Sequence, residues 1–159
     1  MQHSQNQIRS APMAKRYTVE ELQAIQRQFK ELVEDKIWTI IIIDPSTLLR
    51  RSLAMALKKA GAENVLEAKD GLEGLTMARQ AGGAVAAVAE LNLPSLDGIE
   101  FVRQFRADAS LANGLVVLMS AESRKERIIE AVKTGAAGYL KKPFEAQLLV
   151  DKLKSLQVL

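Results

Sequence analysis

The chain has no cysteine and a single histidine, His3, close to its start. Disulfide frameworks, thiolate metal sites and cysteine nucleophiles are therefore excluded. One imidazole in a polar segment gives no basis for a histidine metal centre or acid–base pair. Long apolar runs are missing too. The longest, such as Ile40 to Ile43 and Ala84 to Ala89, fall far short of the ~20 residues needed to cross a bilayer. Residues 1–16 are polar and lack the apolar segment of a secretory signal. A cytoplasmic location without membrane attachment is expected. The same segment has no acidic residue but carries Arg9, Lys15 and Arg16, so it alone accounts for the net charge of +3. Taking these three from the 22 basic residues leaves 19, matched by 19 acidic residues. Proteins that grip DNA strongly make about 6–10 phosphate contacts, well beyond this tail. No nucleic-acid partner is expected.

What is present is one domain's worth of ordinary globular sequence. A chain of 159 residues, 48% hydrophobic and 26% charged, is long enough to bury a sizeable core. Residues 1–16 read as a disordered basic tail, being polar and without periodicity. Residues 17–36 read as an amphipathic helix. Thr18-Val19-Glu20-Glu21 has the pattern of a capping box, in which each end of the motif satisfies a free amide of the other. Leu22, Ile25, Phe29 and Leu32 then follow at spacings of three and four, one apolar stripe along about 18 residues.

From residue 37 to 159 the pattern changes to alternating short strands and helices. Strands are expected at Ile37–Ile43, Asn64–Glu67, Ala84–Ala89, Leu115–Met119 and Gly138–Leu140. Helices are expected at Thr47–Ala60, Gly71–Ala81, Gly98–Ala107, Arg124–Lys133 and Glu145–Leu156, with Gly61, Gly83, Gly114 and Gly135 marking helix-to-strand turns. Apolar strands alternating with amphipathic helices predict a five-stranded parallel sheet covered on both faces, an α/β doubly wound domain with an extra N-terminal helix. Such folds bind their ligands beyond the carboxyl ends of the strands.

Those ends carry the chemistry. The first strand runs into Asp44-Pro45-Ser46, the third into Glu90 and on through Leu91-Asn92-Leu93-Pro94-Ser95-Leu96-Asp97-Gly98. The fourth ends at Met119-Ser120-Ala121 and the fifth at Tyr139-Leu140-Lys141-Lys142-Pro143. Two carboxylates, a hydroxyl and an ammonium are thereby directed to one rim. With the Lys142-Pro143 pair and the Leu-Pro-x-Leu-Asp-Gly turn, residues 37–156 resemble the receiver domain of two-component response regulators, a flavodoxin-like fold of the CheY-like type.

The resemblance implies roles for these positions. Two acids at the end of the first strand would help to hold Mg²⁺, and an Asp at the end of the third would accept a phosphoryl group. A Ser or Thr and a Lys on the fourth and fifth strands would bind the phosphate. Asp44 matches the first acid, Asn92 the residue whose carbonyl would reach the metal, Ser120 the switch hydroxyl, Tyr139 the switch aromatic and Lys142 the phosphate-binding lysine. Pro45 stands in place of the second acid and Glu90 in place of the acceptor.

Both departures act against phosphoryl transfer. Mg²⁺ demands near-octahedral oxygen coordination, and proline supplies neither a side-chain oxygen nor an amide hydrogen. Any Mg²⁺ held by Asp44 and Glu90 is expected to be weak. Glu90 carries its carboxylate about 1.5 Å further out than Asp, and in-line transfer depends on position. The expectation is a single-domain pseudo-receiver without catalytic activity, in which Glu90 pairs with Lys142 and accepts a hydrogen bond from Ser120. The alternative is an atypical response regulator phosphorylated by a histidine kinase with Mg²⁺.

Plainer roles compete for the same residues. For Glu90 the remodelled site is preferred over a solvated carboxylate at a loop start, while Asp44 and Ser120 read equally as caps of the helices that follow them. Arg50-Arg51 reads as a solvated helix face, and Arg103 with Arg106 either as that or as an anion site. Because the chain stops at Leu159, just past the last helix, no DNA-binding output domain is expected. Output is expected through another signalling protein, with contacts near Tyr139 and residues 124–133 implied by the resemblance. The stripe of the N-terminal helix is expected to dock on a second copy, as a homodimer, or on a partner, in preference to its own receiver domain.

Overall fold

The computed structural model describes residues 15–34 and 37–159, which fall into two units dividing at residue 35. Most of the expected tail, residues 1–14, lies outside the described residues, as do Asp35 and Lys36.

The first unit is helix α1, Val19–Glu34. Its capping box is formed. The Thr18 amide donates to Glu21 Oε2 at 2.8 Å, and the Glu21 amide donates to Thr18 Oγ1 at 3.1 Å. Each side chain satisfies an amide that the first turn leaves without an intrahelical partner. Leu22, Ile25 and Phe29 are exposed; the side chain of Leu32 lies outside the described residues.

The second unit is the α/β domain. Its elements in chain order are β1 (Trp38–Ile43), α2 (Thr47–Lys59), β2 (Asn64–Ala68), α3 (Gly71–Ala81), β3 (Ala84–Glu90), α4 (Gly98–Ala107), a 3-10 turn (Ala109–Leu111), β4 (Leu115–Ser120), α5 (Lys125–Lys133), β5 (Gly138–Lys141) and α6 (Ala146–Ser155). The sheet is parallel throughout, in the order β2-β1-β3-β4-β5. Strand β1 shows why both faces are covered. Ile41 and Ile43 join Leu75, Phe101 and Phe105 in one buried cluster, while Ile40 and Ile42 join Leu53, Leu57, Leu149 and Leu153 in another. Alternate side chains point to opposite faces, so an unbroken run of isoleucine demands apolar cover on each. Helices α3, α4 and α5 supply it on one side, α2 and α6 on the other.

The expected elements are all present, with shifted ends. Ile37 is exposed and precedes β1, whereas β2, β3, β4 and β5 each run one residue further than expected. The backbone ladder continues to the rim after the apolar pattern stops: the Leu91 amide donates to Met119 O and the Lys142 amide to Ser120 O. Helix α2 ends at Lys59, α5 begins at Lys125, and α6 covers Ala146–Ser155. The 3-10 turn was not expected. Asp108 caps it by accepting from the Ser110 amide at 2.9 Å, and it buries Leu111. Of the turn glycines, Gly114 has a steric reason: a Cβ there would lie 2.6 Å from the Val85 carbonyl oxygen.

Candidate functional site

The strand order changes direction between β1 and β3, and loops leaving such a point open a crevice beyond the strand ends. Register fixes what faces it. Ile43 pairs with Ala89, Glu90 with Met119, and Ser120 with Lys141. One step further along, Asp44, Glu90, Ser120 and Lys142 meet on one rim. Among the described residues, the buried polar or charged ones are three: Asp44, Glu90 and Ser120. Burying an unpaired charge is costly, so their partners define the site.

Lys142 Nζ lies 2.6 Å from Asp44 Oδ2 and 2.5 Å from Glu90 Oε2. The contact to Asp44 has hydrogen-bond geometry, whereas that to Glu90 is an ion pair off the hydrogen-bond direction. The other oxygen of each carboxylate accepts a backbone amide two residues on. Asp44 Oδ1 takes the Ser46 amide at 2.8 Å and Glu90 Oε1 takes the Asn92 amide at 3.2 Å. Burial works to lower the Lys142 pKa, but the two carboxylates outweigh it and hold the ammonium above the usual lysine value.

The Ser120 hydroxyl oxygen accepts from Asn92 Nδ2 at 3.4 Å and from the Glu122 amide at 3.0 Å. The expected hydrogen bond from Ser120 to Glu90 is not formed among the described residues. Asn92 and the turn at Glu122 engage that oxygen, while Glu90 turns to Lys142. Ser120 caps no helix, since α5 starts at Lys125 and its N-cap residue, Arg124, makes no side-chain cap. Asp44 does not cap α2 directly. Ser46 does, accepting from the Leu49 amide at 3.2 Å, and Asp44 fixes Ser46. The Tyr139 hydroxyl donates to Ser120 O at 3.4 Å, and its ring packs against the cluster containing Ile41. Burial pushes this phenol upward, partly offset by the bond to Ser120. Next to this set, Arg124 forks onto Glu122 through contacts of 2.8 and 3.0 Å, and its side-chain hydrogen bonds pull the Glu122 carboxyl down to about 2. Pro45 is exposed and contributes no side-chain oxygen.

One contributor was not anticipated. Arg50, read from sequence as part of a solvated face, has a largely buried side chain that donates to the Asp44 carbonyl at 2.6 Å and lies 3.4 Å from Glu67. Its sequence signal was only its position, one turn into the helix behind Asp44. Arg103 and Arg106 are structural: Arg103 meets Glu100 and Glu130, and Arg106 donates to the carbonyls of Gly114 and Gly135.

The Mg²⁺ implied by the receiver resemblance does not fit this donor set. Pro45 offers no ligand, and an ammonium already rests against one oxygen of each carboxylate. A hard divalent cation needs about six oxygens at short range.

Comparison with known proteins bears on the family and the fold. The response regulator receiver domain family matches residues 40–154. The chain is 37% identical over 123 residues to the chemotaxis protein CheY-3 of Vibrio cholerae, covering 77% of this chain and 94% of that protein. It is 36% identical over 117 residues to the chemotaxis protein CheY of Pseudomonas aeruginosa, covering 74% and 94%. Among solved structures, the chemotaxis response regulator CheY4 of Vibrio cholerae superimposes with a TM-score of 0.68 at 27% identity, covering 76% of this chain and 98% of that one. No described helix is long and apolar enough to cross a membrane. The chain belongs to the response regulator receiver domain family, as a CheY-like receiver of signal transduction.

Proposed function

We propose that this receiver is a pseudo-receiver: a protein-interaction module of bacterial signalling whose state does not depend on phosphorylation. The observation that carries the reading is the Lys142 ammonium lying between the Asp44 and Glu90 carboxylates at 2.6 and 2.5 Å. In-line phosphoryl transfer requires a free carboxylate oxygen aimed at phosphorus and a cation to spread the developing charge. Here Glu90 has one oxygen on the Asn92 amide and the other against Lys142. Its extra methylene also moves the nucleophile about 1.5 Å from where an aspartate would place it. Glu90 thus stands in for a modification instead of receiving one, tying the third strand to the fifth as a bound phosphate would.

Signal output then rests on surfaces. Helix α1 presents Leu22, Ile25 and Phe29, and α5 presents Ile129 and Val132, all exposed. Burying large apolar side chains of this kind stabilises a complex by about 1.5–3 kcal/mol each. The partner is a signalling protein or, through α1, a second copy of the chain.

The test is intact mass after incubation with acetyl phosphate and Mg²⁺. The native chain is expected to gain no adduct, while a Pro45→Asp/Glu90→Asp double variant, with both acids restored, gains one phosphoryl group. An adduct on the native chain mapping to the rim would overturn the proposal in favour of a working response regulator served by a histidine kinase.

A further inference from the structure

Among the helices of the receiver unit, α5 has the thinnest apolar anchor. Its nine residues include one buried side chain, Ala131. By contrast α4 buries Ile99, Phe101, Val102 and Phe105, and α6 buries Leu149, Val150 and Leu153. Ile129 and Val132 of α5 face outward, and its N-cap residue, Arg124, makes no side-chain cap. Apolar stabilisation grows with the area removed from water, and an alanine has little to offer.

Charge fills the gap. Asp97, Arg127, Glu130, Arg103 and Glu100 follow one another in alternating sign between α4 and α5. Arg127 on α5 pairs with Asp97, the N-cap of α4, and lies 3.9 Å from Glu130 on its own helix. Glu130 reaches back to Arg103 on α4 at 3.4 Å, and Arg103 closes on Glu100 at 3.4 Å. The chain of charges thus crosses between the helices twice. Past the last turn of α5, Arg106 of α4 donates to Gly135 O at 3.1 Å, which ties that end down. All five charged side chains are partly exposed, so each pair is weak alone and open to screening by salt.

We infer that α5 is an electrostatically latched helix, which opens as a unit from an otherwise intact receiver when this chain of five charges is screened or broken. What carries it is the mismatch between one buried alanine and five alternating charges. Segments with few buried contacts open locally, at a lower free energy than global unfolding. Input reaches such a latch as charge: an anionic group competing for Arg127 or Arg103 releases α5 without any chemistry at the rim. The inference holds whether or not Glu90 accepts a phosphoryl group.

The experiment is native-state amide hydrogen exchange, read by NMR on the full chain in about 0.02 M and about 0.5 M NaCl. Over that range the screening length falls from above about 10 Å to below it. Asp97→Asn and Arg127→Met are measured beside the native protein. Asparagine caps a helix as well as aspartate does, so Asp97→Asn removes a charge and leaves the start of α4 in place. In the native chain, the amides of residues 128–133 are expected to exchange at least about fivefold faster at high salt, while those of β3 and α4 keep their rates. Both variants should show the faster α5 exchange already at low salt, with little further gain from salt. Native α5 rates that ignore salt overturn the inference, as does a speed-up shared equally by β3, which would mean general destabilisation. Unchanged α5 exchange in a folded Asp97→Asn overturns it too. If a variant fails to fold, the native salt comparison still decides, because it needs no substitution.

Discussion

A lysine shared by two buried carboxylates is the residue on which the rim depends most. Removing one member of a buried ion pair leaves an uncompensated charge and costs about 3–5 kcal/mol. Lys142→Ala strips the partner from two, so urea unfolding should show a loss at least in that range. Glu90→Gln leaves Asp44 paired at 2.6 Å and should cost less, about 1–3 kcal/mol. Equal midpoints for native and Lys142→Ala would show that the contact contributes nothing to the fold. The pH dependence follows from the direction of the Lys142 shift. Its folded pKa is raised above the ordinary 10.5 because the carboxylates outweigh burial. Its contribution is therefore complete below 10.5 and is lost as pH climbs through the folded value. Glu122 behaves in the opposite sense. Held by Arg124, it titrates near 2 in place of 4.5, so its contribution is present above 4.5 and disappears as pH falls through about 2. An NMR titration of the Glu122 carboxyl should give a midpoint near 2 in the native chain and a higher one in Arg124→Ala, still below 4.5 because the residue 124 amide goes on donating to Glu122.

At the level of elements, α4 sets where the third strand delivers Glu90. Gly98 opens that helix with its amide on Leu91 O at 2.8 Å. A Cβ on Gly98 would come within 2.7 Å of Leu91 Cα and 2.8 Å of Glu90 O, both backbone atoms that cannot swing aside. Gly98→Ala should therefore destabilise by about 1–3 kcal/mol and disturb Glu90 itself. Chemical-shift changes confined to α4, with none at Glu90 or Asn92, would contradict this. This glycine was legible as part of a turn motif; its contact with the Glu90 carbonyl was not. The same division runs through the molecule. Strands such as Ile40 to Ile43 and helices such as Gly71–Ala81 stand out because their apolar periods differ plainly. The turn at Ala109–Leu111 does not, since three residues are too few to show a period. Rim positions were readable from strand ends. The Asp44–Lys142 contact spans 98 positions in sequence and depends on which carboxylate a flexible lysine reaches, so no local pattern announces it. Arg50 looked solvated for a related reason: its neighbour Arg51 is exposed, and only the turn of α2 decides which of the two faces Asp44.

Across the whole molecule, the two units divide the work between folding and contact. Among the described residues, every member of both apolar clusters lies at Trp38 or later. A chain beginning at residue 36 should keep the urea midpoint of the full chain, its loss staying within about 0.5 kcal/mol, as for changes that leave core and caps untouched. Helix α1 by contrast exposes Leu22, Ile25 and Phe29, and a lone helix of 16 residues is marginal in water. A surface that covers the stripe would add to its stability. In a two-helix seam the stripe residues fall at successive contact positions, flanked by Glu21, Gln26 and Gln28. Light scattering on the full chain should then give a dimer mass that falls with dilution. Leu22→Glu/Phe29→Glu places two charges in the seam and should return a monomer with an unchanged receiver midpoint. A full chain that is monomeric at every concentration would remove the second copy as the occupant and leave a different signalling protein, or the chain's own receiver unit, to cover α1. A dimer that survives the double substitution would move the contact to the receiver unit, where Ile129 and Val132 are the exposed apolar residues of α5.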